Sequence, residues 1–97
     1  MYKILLMIKE TANEEILNSL RDNVLIHLEK ALDRKILLGT IDGAKLNDDP
    51  YNRVCEIEFS SKYEMDKLLA SPEGKSFNRN LTSYFQHISI FFIDYGE

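Results

Sequence analysis

Cysteine occurs once in these 97 residues, at Cys55. A lone thiol excludes an internal disulfide, a multi-cysteine metal cluster and the C-x-x-C motif of metal carriers. Glycine is scarce, with 4 residues. Neither G-x-G-x-x-G nor a P-loop occurs, so no phosphate-cradling loop is on offer. Basic residues are outnumbered, 12 against 16 acids, for a net charge of −4. A backbone-binding nucleic-acid protein needs clustered cations, so no nucleic-acid partner is expected. Long apolar runs are missing too. The longest apolar stretches are residues 4–8 and 88–93, the second interrupted by Ser89, far short of the roughly 20 residues that cross a bilayer. No membrane partner is expected. The apolar start lacks a small-residue cleavage site and reads better as a strand than as a signal, so a cytoplasmic location is the expectation. The two histidines, His27 and His87, stand 60 positions apart. That is no recognised ligand spacing, and neither metal nor cofactor is expected.

What is present is an ordinary globular balance, 44% hydrophobic and 29% charged. The length suits one domain over residues 1–97, which buries roughly 60–65% of its unfolded surface. Residues 2–9 read as a strand with apolar side chains on both faces. A helix follows. Thr11 with Glu14 has capping-box spacing, and Asn13 is a competing N-cap. Ile16, Leu17, Leu20, Val24, Leu28, Ala31 and Leu32 form its core stripe. Leu25 and Ile26 fall off that stripe, which implies a second contact or a bend.

Residues 36–41 read as strand two, ending at the turn dipeptide Asp42-Gly43, with a polar loop over 44–52. Residues 53–59 read as strand three, with Cys55, Ile57 and Phe59 on one face and Val54, Glu56 and Glu58 on the other. Ser61 and Glu64 open a second helical region. Ser71-Pro72 restarts it, with Ser71 as N-cap and Pro72 in the first helical position. Phe77, Leu81 and either Tyr84 or Phe85 continue its stripe. Residues 88–95 form a last strand, again apolar on both faces.

The order β-α-β-β-α-β with right-handed crossovers is the α+β, ferredoxin-like arrangement. It comprises one four-stranded antiparallel sheet with its helices on one face. Strands apolar on both sides would then leave a wide apolar face in water. A second copy, packed sheet to sheet in a homodimer, removes that conflict.

The run Glu56-Ile57-Glu58-Phe59-Ser60-Ser61, then Leu68-Leu69-Ala70-Ser71-Pro72-Glu73-Gly74, then the apolar last strand resembles the EthD-like branch of the dimeric α/β-barrel superfamily. The resemblance implies a dimeric barrel. It also implies a small apolar or aromatic ligand, handled either by a cofactor-free enzyme of oxygenase, isomerase or decarboxylase type or by a module with no reaction of its own. The family's first helix often carries an aromatic, a His and a Pro where this chain has Leu20, Val24 and Ile26. No catalytic residue carries over from it.

Among this chain's own residues, His27 shares the inward stripe with Leu20, Val24 and Ala31. It is the candidate catalytic and ligand-binding group for a pocket between helices and sheet. Tyr84 is its candidate partner from the second helical region. The competing reading of His27 is a core histidine with one hydrogen bond, or a rotated helix that carries it to solvent. Glu56 and Glu58 are paired carboxylates, more often just a solvated or interfacial face. Cys55 reads as an apolar filler, and His87 as a helix-end cation. Tyr84, Phe85, Phe91 and Phe92 read as pocket, core or interface aromatics.

Overall fold

The computed structural model describes residues 1–42 and 50–96. β1 (Tyr2–Lys9) lies between β3 (Tyr51–Phe59) and β4 (Ile88–Asp94), antiparallel to both. β2 (Gly39–Thr40) pairs with the far side of β3, giving the sheet order β2-β3-β1-β4. This is the ferredoxin-like α+β arrangement read from the sequence. The first helical region comprises α1 (Glu14–Leu20), a π-helical stretch Arg21–Leu25, and α2 (Ile26–Leu32). The second comprises α3 (Lys62–Ala70), α4 (Pro72–Leu81) and a 3₁₀ turn Thr82–Tyr84.

Register fixes which side chains meet the helices. Ile4 pairs with Ile57 and Phe92, Leu6 with Cys55 and Ile90, and Ile8 with Ile88. Ile4, Leu6 and Ile8 are fully buried, and they meet Leu20, Val24, Leu25, Leu28 and Phe77, which are also sealed from water. The alternate positions form the other face. There Leu5 sits between Glu56 and Phe91, and Lys3 between Glu58 and Ile93. Phe91 is 48% exposed on that open face. Phe92 has the parity of the helix side, yet it too is exposed, because the helices do not reach this part of the edge strand.

Local chemistry decides several boundaries. Asn13 caps α1 by accepting from the Ile16 amide at 2.9 Å, which leaves Thr11 free for another partner. The strand expected over 36–41 shortens to Gly39–Thr40. Its first amide, at Ile36, is taken instead by Glu29 Oε2 at 2.8 Å, so this segment seals the end of α2 rather than joining the sheet. Strand three begins at Tyr51, ahead of the expected Arg53, and β4 ends at Asp94. The Asp42-Gly43 turn and most of the expected loop over 44–52 lie outside the described residues.

The restart at Ser71 is as the sequence implies. Ser71 is extended, with ψ 162°, and its hydroxyl accepts from the Gly74 amide at 3.1 Å. The same hydroxyl donates to the Leu68 carbonyl, so one side chain closes α3 and opens α4. Gly74 permits this sharp junction. A Cβ there would lie 2.2 Å from the Leu68 carbonyl oxygen and 2.6 Å from the Leu69 Cα. Both are backbone atoms and cannot rotate away. Ser71→Ala should therefore cost about 1 kcal/mol. Gly74→Ala should cost about 1–3 kcal/mol through overpacking. Urea unfolding of the two variants checks both values, and a Gly74→Ala protein as stable as the parent would contradict the close approach.

Candidate functional site

The π stretch controls where the candidate histidine goes. An α-helix advances about 100° per residue, and a π turn, bonded i to i+5, advances less. Five residues in that state rotate everything after them relative to an unbroken helix. Leu25, off the stripe in an unbroken α-helix, is 1% exposed here. Ala31, expected in the core, is only half-buried. His27 is carried away from the sheet to the seam between α2 and α4. Among the described residues it lines none of the clefts, and the space between helix and sheet is filled by apolar side chains. Among the described residues the core holds no buried polar or charged side chain.

At the seam His27 meets two residues of α4. Its Nδ1 lies 3.5 Å from Glu73 Oε2, and its Nε2 lies 3.3 Å from Asn80 Nδ2. Asn80 also donates to the backbone carbonyl of Asn23 at 2.7 Å, within the π stretch. The amide has two hydrogens and serves both acceptors. The ring then carries its proton on Nδ1, toward the carboxylate. Asn23 donates in turn to Ser19 Oγ at 3.1 Å, and Ser19 is hydrogen-bonded to the Tyr84 hydroxyl. His27 and Tyr84, the two residues singled out in the sequence, are thus not neighbours. They stand toward opposite ends of one polar seam, with Glu73, Asn80, Asn23 and Ser19 as members the periodicity did not reveal. Each is an ordinary polar helix residue. Only the pairing of two helices distant in sequence brings them together.

Two clefts lie at the ends of this seam. The larger, about 430 Å³, is lined by Ala31, Leu32, Phe59, Glu64, Lys67, Leu68, Ser71 and Glu73. The smaller, about 230 Å³, is lined by Glu15, Ile16, Ser19, Ser83, Tyr84 and His87. In the smaller cleft the hydroxyls of Ser19 and Tyr84 satisfy each other. The His87 Nδ1 lies 3.0 Å from Thr11 Oγ1, which ties the loop before α1 to the end of the 3₁₀ turn. The His87 backbone amide also donates to the Tyr84 carbonyl at 2.8 Å. This is a joint between elements rather than the helix-end cation the sequence suggested.

The other candidates separate. Glu56 and Glu58 lie on the open face, where Lys3 Nζ reaches both, at 3.3 and 3.6 Å. The Lys3 ammonium also stands 5.4 Å from the Tyr95 ring centre. Cys55 is buried in the centre of β3, and burial pushes its thiol up to about 12, with the Arg21 charge acting weakly the other way. It remains a thiol at neutral pH, not a nucleophile. Phe85 is 57% exposed and lines neither cleft. Among the described residues no group of three or more His, Cys, Asp or Glu is placed to hold a metal ion. No described helix is long and apolar enough to cross a membrane.

No protein-family model and no curated protein matches the chain. Solved structures do. An ethyl tert-butyl ether degradation (EthD) family protein from Bacillus halodurans superposes with a TM-score of 0.76 at 12% identity, covering 99% of each chain. The chain shares the ferredoxin-like fold of that protein. An Arabidopsis thaliana protein matches at TM-score 0.66 and 19% identity, covering 99% of this chain and 93% of the other. A Bacteroides fragilis protein, described as dimeric, of unknown function and ferredoxin-like, matches at 0.56 and 15% identity, covering 97% and 95%. The shared feature is the backbone path, and an EthD-like fold does not by itself specify a reaction.

The seam makes a testable demand. Asn80→Ala removes the donor that satisfies the π-stretch carbonyl and should cost about 1 kcal/mol. His27→Leu removes a partly exposed ring, 24% accessible, whose partners can turn to water, and should change stability by no more than about 0.5 kcal/mol. Urea midpoints of the two variants should rank in that order, and the reverse ranking would place His27, not Asn80, at the structural centre of the seam.

Proposed function

We propose that this chain is a non-catalytic, homodimeric ligand-sensing module of the EthD-like dimeric α/β-barrel type. The observation that carries the non-catalytic part is the filled interior. Acid–base chemistry on an apolar compound needs a titratable group facing a water-poor cavity. Here the space between helices and sheet is occupied by Leu20, Val24, Leu25, Leu28 and Phe77, and His27 lies outside it. The two clefts at the ends of the seam lie at the surface on the helices, where a ligand can be held without its bonds being broken.

The dimer rests on the open sheet face. Leu5, Met7, Val54 and Ile93 are half-buried there, and Phe91 is more exposed. Burying apolar surface stabilises by about 25 cal/mol per Å², and a two-fold packing covers this face on both copies at once. The Lys3 ammonium is paired within the same chain, with Glu56 and Glu58, which leaves that group one negative charge in excess on each copy. The Bacteroides relative of like fold is described as dimeric.

Light scattering at micromolar concentration should give twice the 11.3 kDa chain mass. Phe91→Asp would bury an unpaired charge in the interface and should yield a folded monomer. Phe92→Asp, on the opposite side of β4, should leave the dimer intact. A parent protein that is monomeric with a cooperative melt would overturn the assembly.

A further inference from the structure

We infer that the 430 Å³ cleft between α2, α3 and α4 is a binding site for a small organic amine with an apolar aryl or branched-alkyl body. This inference rests on the ligand-sensing reading above. The cleft has the size of a small-molecule site, which is typically about 300–1,000 Å³. It opens on the helical side of the molecule, so packing of the open sheet face leaves it accessible. Its apolar walls are Ala31, Leu32 and Leu68, with Phe59 from the end of β3. These take the body of the ligand.

Charge at the mouth selects the head group. Three ionisable side chains line the cleft: Glu64, Lys67 and Glu73. Glu64 and Lys67 stand three residues apart on α3, the spacing at which helix side chains of opposite charge offset each other. Glu73 is left over. Its side chain is 43% exposed, and its neighbour is the edge of the His27 ring at 3.5 Å rather than a permanent cation. Ser71 does not compete, because its hydroxyl is committed to Leu68 and Gly74. An ammonium seated at the mouth would donate a charge-assisted hydrogen bond to the Glu73 carboxylate. A carboxylate there would meet a net negative rim on a chain of net charge −4.

His27 then becomes the reporter of occupancy. A bound ammonium draws Glu73 away from the imidazole, so the ring loses its carboxylate neighbour when the cleft fills. The groups facing His27 are Glu73 and Asn80 from α4, with Glu73 the one that carries charge.

Titration of the full chain with phenethylamine, followed by two-dimensional amide NMR, tests the site, with phenylacetate as the matched anion. The amine should give saturable shifts centred on Ala31 and Leu68, and these should extend to the His27 amide. Phenylacetate should bind at least tenfold more weakly (or not at all), and Glu73→Gln should weaken the amine by about tenfold. Glu15→Gln, at the other cleft, should leave amine binding unchanged. Equal affinity for the anion, shifts centred elsewhere, no saturable shift, or an unaffected Glu73→Gln variant would each overturn the proposal. Light scattering on the same samples reads the dimer separately, so failure of the site is distinguishable from failure of the assembly.

Discussion

The structure depends on β1 being buried from both edges and one face at once. Its backbone groups are divided between β3 and β4, and Ile4, Leu6 and Ile8 lie against the helices with no exposure. Each other element takes its place by reference to that strand. β3 and β4 are held in register by pairing with it. The helices come to one side because both crossovers are right-handed. Because the helices cover only that side, Leu5 and Met7, on the same strand, face outward. The open apolar face is therefore a direct consequence of the order of elements, not a local accident of composition.

The second controlling feature is smaller. The π stretch Arg21–Leu25 rotates α2 so that Leu25 enters the core and His27 leaves it. The wider turn also leaves the Asn23 carbonyl available to a side chain from α4. A stretch of five residues thus decides both how the first helix packs and where its histidine can act.

Much of the fold was legible in the sequence because its signals are periodic and local. Short runs apolar on both faces marked β1 and β4, alternation marked β3, the stripe through Leu17, Leu20, Val24 and Leu28 marked the helix, and Ser71-Pro72 marked the break between α3 and α4. The off-stripe Leu25 and Ile26 did announce an irregularity, but its sense of rotation cannot be read from composition. Strand two was overextended because the acceptor that captures the Ile36 amide, Glu29, belongs to the preceding helix. The seam was the least legible part. Asn80 and Asn23 are 57 positions apart, and nothing in either local sequence indicates the other. His27 was aimed at the sheet rather than at α4, since its direction depends on a turn geometry that residue periodicity assumes to be constant.

Cys55 gives the molecule an internal clock. Its thiol is the only one in the chain, it is sealed behind β1, and it stays protonated well above neutral pH. An alkylating reagent can reach it only when β3 parts from the helices, so each labelling event records one excursion from the closed state. Where reclosing is faster than alkylation, the labelling rate divided by that of a free thiol gives the open fraction directly. The chain can thus have its opening followed in a crowded mixture, without denaturant and without an engineered label.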